Sequence, residues 1–105
     1  MSKRLAYLEK VAAEGTADSF ALYALALEYK SLERPVDAVA TFERLKASDP
    51  SYLPMYLMCG AIHLEALQDP AGARAWLTEG VTLAKSKGDS KTLGELQDAL
   101  ARVAD

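Results

Sequence analysis

Sliding the chain along itself by 34 or 35 positions brings two stretches into register, and this internal repeat constrains the fold more than any other feature. At the shorter shift Leu25-Ala26 falls on Cys59-Gly60 and Tyr29 on His63. At the longer one Pro35 falls on Pro70, Ala38 on Ala73 and Phe42 on Leu77, so the second copy carries one extra residue between its two helices. Each copy sets a small residue in its first helix (Ala26, Gly60) and another early in its second (Ala38, Ala73). Small side chains at facing positions let two helices approach closely, while large neighbours fill the space around them.

Hydrophobic periodicity predicts six helices and no strand. The first spans about Lys3 to Ala13, carries Leu5, Leu8, Val11 and Ala12 on one stripe, and stops at Gly15. The second starts near Asp18 or Ser19, both good N-caps, and shows Leu22, Leu25, Ala26 and Tyr29 on one face. Pro35 suits the first position of a third helix, which Asp49-Pro50 closes. A fourth begins around Ser51 to Leu53, with Pro54 tolerable in its first turn. Asp69-Pro70 opens a fifth, over about Pro70 to Lys85, in which Gly80 leaves room for the Trp76 indole. Gly88-Asp89-Ser90 breaks and recaps the chain ahead of a Leu93, Leu96, Leu100 and Val103 stripe. Joints this short pack neighbouring helices antiparallel.

The pattern resembles the tetratricopeptide repeat (TPR), a helix–turn–helix unit of about 34 residues. In the first copy Leu25, Ala26, Tyr29, Ala38, Phe42 and Pro50 stand at signature positions. In the second Tyr56, Gly60 and Ala73 fit, Leu77 replaces the usual aromatic, and Gly80 keeps a small residue near the end. Three departures are plain: Leu45 occupies a small-residue site, His63 replaces a tyrosine, and neither turn has the family's glycine. The resemblance implies an all-α fold of antiparallel hairpins stacked as a short right-handed superhelix. The expected organisation is one domain over 1–105: a capping helix at 1–15, repeats at 18–50 and 51–86, and a second cap at 89–104. A stack leaves apolar ends that such caps cover, so the chain reads as a finished protein.

The resemblance also implies a concave groove, lined by the first helix of each repeat, that grips a peptide or helix of another protein. By position the groove-facing residues are Phe20, Tyr23, Ala24, Leu27 and Lys30, then Leu57, Met58, Ala61, Leu64 and Glu65. The TPR subclass that captures C-terminal carboxylates uses lysine, arginine and asparagine there. Only Lys30 answers to that description, so this activity is expected to be absent. The implied groove is apolar and aromatic. It serves either as ordinary core beneath a terminal helix or as a landing site for a partner's amphipathic helix or a second copy of the chain.

Composition argues against other classes. The net charge of -3 and the interleaving of acids and bases leave no basic stripe for nucleic acid. No apolar run reaches bilayer length, and no apolar segment follows the Lys3-Arg4 pair as a secretory signal requires, so cytosol is the expected compartment and membrane insertion is not. One cysteine, Cys59, excludes an internal disulfide, and one histidine, His63, makes a poor metal site. Cys59 and His63 stand at i and i+4 without a recognisable acidic orienter or oxyanion glycine, so both read as packing residues. No catalytic, cofactor or metal site is expected. A non-enzymatic scaffold for a partner polypeptide is the leading reading, with a self-associating homodimer as the alternative.

Overall fold

The computed structural model describes residues 2–103; Met1, Ala104 and Asp105 lie outside them, the first two being the end positions of the expected caps at 1–15 and 89–104. Six helices follow in order: α1 (Lys3–Ala13), α2 (Ser19–Ser31), α3 (Pro35–Ser48), α4 (Pro54–Glu65), α5 (Pro70–Lys87) and α6 (Ser90–Ala101). There is no strand among the described residues. The fold is all-α, and the helices fall into two compact units that divide between Tyr52 and Leu53.

In the first unit, α1 and α3 both connect to α2. Ser2 caps α1 by accepting from the Leu5 N–H at 3.2 Å. Gly15, with φ of +74°, ends it. The Thr16 N–H reaches Val11 O at 3.0 Å and the Gly15 N–H reaches Ala12 O at 3.1 Å, which satisfies carbonyls the helix leaves open. Asp18 caps α2 through Ala21 N at 2.8 Å. Ala26 and Ala38 are fully buried, as are Phe42 and Leu45 around them. Leu45 is thus accommodated in full, despite its size for that site. Leu5, Leu8 and Ala12 bury the inner stripe of α1. Arg44 of α3 donates to Ala12 O at 2.7 Å, a charged bond to the negative end of the α1 dipole. The Tyr29 hydroxyl donates to Glu9, tying α2 to α1. Burial, followed by that carboxylate, pushes its pKa up to about 12.

The second unit is built around two glycines. A Cβ on Gly60 would stand 2.6 Å from Leu77 Cδ2 and 2.7 Å from its Cγ, so α4 and α5 touch there with Leu77 seated on bare backbone. That contact explains why a leucine suffices where the family carries an aromatic. A Cβ on Gly80 would stand 2.7 Å from Tyr56 Cβ and 2.9 Å from Leu96 Cδ2. The atoms nearest to Gly80 thus come from α4 and α6. The Trp76 indole lies against Tyr56, ring centroids 5.7 Å apart. Two boundaries also differ from expectation. α5 runs two residues further, to Lys87, until Gly88 at φ +68° turns the chain. α6 stops at Ala101, yet Val103 beyond it is still buried.

Both helix-pair turns take the left-handed conformation the family assigns to glycine, but with other residues: Glu33 at φ 57° and Gln68 at φ 49°. After α2 the Arg34 N–H bonds Tyr29 O at 2.9 Å, five residues back. After α4 the Asp69 N–H bonds the equivalent carbonyl, that of His63, at 2.7 Å and six residues back. The Leu67 N–H likewise reaches back five residues to Ile62 O at 3.1 Å. The extra residue of the second copy is absorbed in this widened final turn, before Gln68, so Pro70 and Ala73 keep their places. A side chain in this backbone region costs about 1–2 kcal/mol, part of which glycine returns as chain entropy. Glu33→Gly and Gln68→Gly should each stabilise the fold by about 0.5–1 kcal/mol in urea titrations, and the matching alanine variants should not.

Candidate partner-binding faces

The ten residues expected to face a partner divide evenly between α2 and α4. On α2, Phe20, Tyr23 and Leu27 follow one another at helical spacing. Phe20 is 67% exposed, Tyr23 and Leu27 are half-buried, and Lys30 is exposed. Ala24 is 6% exposed and has no surface to offer. On α4, Leu57, Met58, Ala61 and Leu64 are all half-buried and Glu65 is exposed. Within the first unit α1 packs on α2, and within the second α6 packs on α5 and touches α4. Neither terminal helix turns these side chains, Ala24 apart, into fully buried core of its own unit.

Tyr23 belongs partly to the core. Its ring meets Phe42 at 6.0 Å and Tyr52 at 5.4 Å, both tilted. Tyr52, in the joint after α3, was not among the residues the repeat pattern points to, because that pattern places side chains on helices only. Three further exposed apolar residues escaped sequence reasoning: Tyr7 at 65%, Leu32 at 44% and Val36 at 70%. An apolar residue at a solvent position carries no periodicity signal of its own.

The residues that invite chemical readings are structural in placement. Cys59 is fully buried. His63, where the first copy has Tyr29, bonds Asp69 through Nδ1 at 3.1 Å, while its buried Nε2 has no hydrogen-bond partner among the described residues. Asp69 also caps α5 through Gly72 N at 3.1 Å. The Gly72 N–H and then the His63 ring hold the Asp69 carboxyl below its ordinary 3.8. A Cβ on Gly72 would meet the ends of the Asp69 and His63 side chains, so a larger residue here would require both to shift. This is a clasp on the α4–α5 turn. Among the described residues no three His, Cys, Asp or Glu side chains are grouped to hold a metal ion. No helix among them is long and apolar enough to cross a membrane.

Helix pairs with matched small residues at their crossings and matched left-handed turns define an all-α helical repeat protein. Solved structures are similar to it. A crystal structure of a tetratricopeptide repeat domain protein from Salinibacter ruber is 35% identical, with a TM-score of 0.75 over 82% of this chain and 96% of that one. A solution NMR structure of a tetratricopeptide repeat domain protein from the same organism gives 0.76 at 35% identity, over 82% of this chain and 86% of that one. A solution structure of a protein from Bordetella parapertussis gives 0.82 at 28% identity, over 98% of this chain and 89% of that one. No family profile and no curated protein matches the chain. The chain belongs to the tetratricopeptide repeat family.

Proposed function

We propose that the chain is a non-enzymatic interaction module that binds a peptide or helix of a partner polypeptide on an apolar helix face, that of α2 in the first unit or that of α4 in the second. One observation carries this reading: Phe20 stands 67% exposed in the first turn of α2, on the stripe shared with half-buried Tyr23 and Leu27. An aromatic ring held in water at the head of such a stripe is stabilised when a guest covers it, and aromatic residues supply much of the binding free energy where they are so covered. Leu57, Met58, Ala61 and Leu64 give α4 a face of the same kind, with Met58 able to adapt to different guests. Membership of the tetratricopeptide repeat family supports an interaction role.

The test is affinity capture from the source cell with the wild type beside Phe20→Glu and Leu57→Glu. Phe20→Glu alters an exposed side chain and should leave the thermal midpoint within a few degrees, while polypeptides held on α2 are lost. An unchanged capture profile for both variants would remove the reading. Sedimentation of the same proteins over a range of concentrations shows whether the captured partner is a second copy of the chain.

A further inference from the structure

The α2–α3 hairpin has an open end where α2 begins and α3 stops, and its side chains are of an unusual mixture. Phe20 projects into solvent from the first turn of α2. One turn on, Tyr23 leans against Tyr52, the two half-buried rings tilted by 49° with their centroids 5.4 Å apart. Two carboxylates stand on the same segments as the rings. Asp18 caps α2, and Asp49 follows α3 and accepts from Ser19 Oγ at 2.6 Å, which ties it to the start of α2. Burial, followed by the charges of Asp18 and then Asp49, holds the Tyr52 hydroxyl above its ordinary 10.0, so both carboxylates are felt at Tyr52. The negative pole of α3 and the positive pole of α2 meet at this end and offset one another, so the charge attraction for a cation comes from the carboxylates. Of the three charged residues on segments 18–23 and 46–52, Asp18 and Asp49 are acidic and Lys46 is basic; Asp49 also accepts from Ser51 Oγ at 2.9 Å, and both it and Lys46 make further interactions, so the segments carry a net charge of -1.

Aromatic faces beside carboxylates attract a cation twice, through the ring quadrupole and through charge. An arginine suits the place best, because its flat, weakly hydrated guanidinium stacks on a ring while its N–H groups reach carboxylate oxygens. We propose that this end of the hairpin holds an arginine side chain of the partner polypeptide, with Phe20 and the Tyr23–Tyr52 pair as its platform and Asp18 and Asp49 as its counter-charges. The proposal rests on the partner-binding reading and refines it: the guest on α2 is a polypeptide that carries a basic residue beside its apolar stripe.

The experiment uses the full chain and two acetylated, amidated leucine-rich helical peptides that differ at one position, arginine or citrulline. Citrulline keeps the shape and removes the charge. Aromatic resonances of Phe20, Tyr23 and Tyr52 are followed by NMR during titration. The arginine peptide should shift all three and bind about threefold to fivefold tighter than the citrulline peptide. Raising the salt concentration should shrink that preference. Asp18→Asn keeps a capping side chain, so the fold should hold while the preference for arginine falls. Equal affinities for the two peptides would overturn the arginine proposal while leaving partner binding on α2 intact. Shifts confined to residues outside 18–23 and 49–52, or binding of neither peptide, would overturn it as well. The capture experiment with Phe20→Glu decides the broader reading separately.

Discussion

Phe42→Ala should lower the unfolding free energy by about 3–5 kcal/mol, the largest loss expected from a single substitution in the first unit. The ring is fully buried, faces Tyr23 at 6.0 Å, and shares its surroundings with Ala38 and Leu45, which are also without exposure. Alanines cannot reach into the hole that truncation leaves, so little of the cavity would close. A chain of this size has a total stability on the order of 5–15 kcal/mol. A fifth or more of it would go. The check is urea denaturation followed by far-ultraviolet circular dichroism, with Val36→Ala as the control. Val36 is 70% exposed, and its truncation should change stability by less than about 0.5 kcal/mol. Similar losses for the two variants would mean that Phe42 is not the packing centre of its helix pair.

The second large effect is a reversal of sign between two glycines. Gly80→Ala and Gly94→Ala make the same chemical change inside helices, and each gains up to about 1 kcal/mol of helix propensity. At Gly94 nothing stands within 4 Å of the new methyl, so that gain should be realised as added stability. At Gly80 the methyl would lie 2.7 Å from Tyr56 Cβ, an atom next to the α4 backbone that no rotamer change can remove. The helices would have to part, with overpacking costs of about 1–3 kcal/mol. Gly80→Ala should therefore destabilise and Gly94→Ala stabilise, with the unfolding free energies of two nearly identical proteins separated by about 1–3 kcal/mol in urea titrations. A stabilised Gly80→Ala would show that α4, α5 and α6 have slack where the structure has contact.

Much of this architecture is written locally and so was legible in the chain. Asp18, Asp69 and Asp89 each cap the helix they precede, and Pro35 and Pro70 each open one. The matched small residues predicted close helix crossings, and Ala26, Gly60, Ala38 and Ala73 are all buried. Features decided by tertiary contact were not legible. That Tyr56 and Leu96 crowd closest to Gly80 depends on the rotation of three helices, which a stripe of letters does not fix. The left-handed turns at Glu33 and Gln68 run against local preference and are held by the helices on either side. For the candidate faces, position along the helix told which side chains share a stripe, but not that Ala24 is covered or that Tyr52 folds back on Tyr23.

The burial of Cys59 gives this protein a built-in reporter. The chain has one thiol, and at 0% exposure it lies within the second unit, in α4. A modifying reagent reaches it only during moments when α4 comes away from its neighbours, so the rate of labelling counts those openings. Wild-type protein without any added probe thus measures how often its second half breathes. Substitutions such as Gly80→Ala can be ranked by that clock under conditions in which nothing has unfolded.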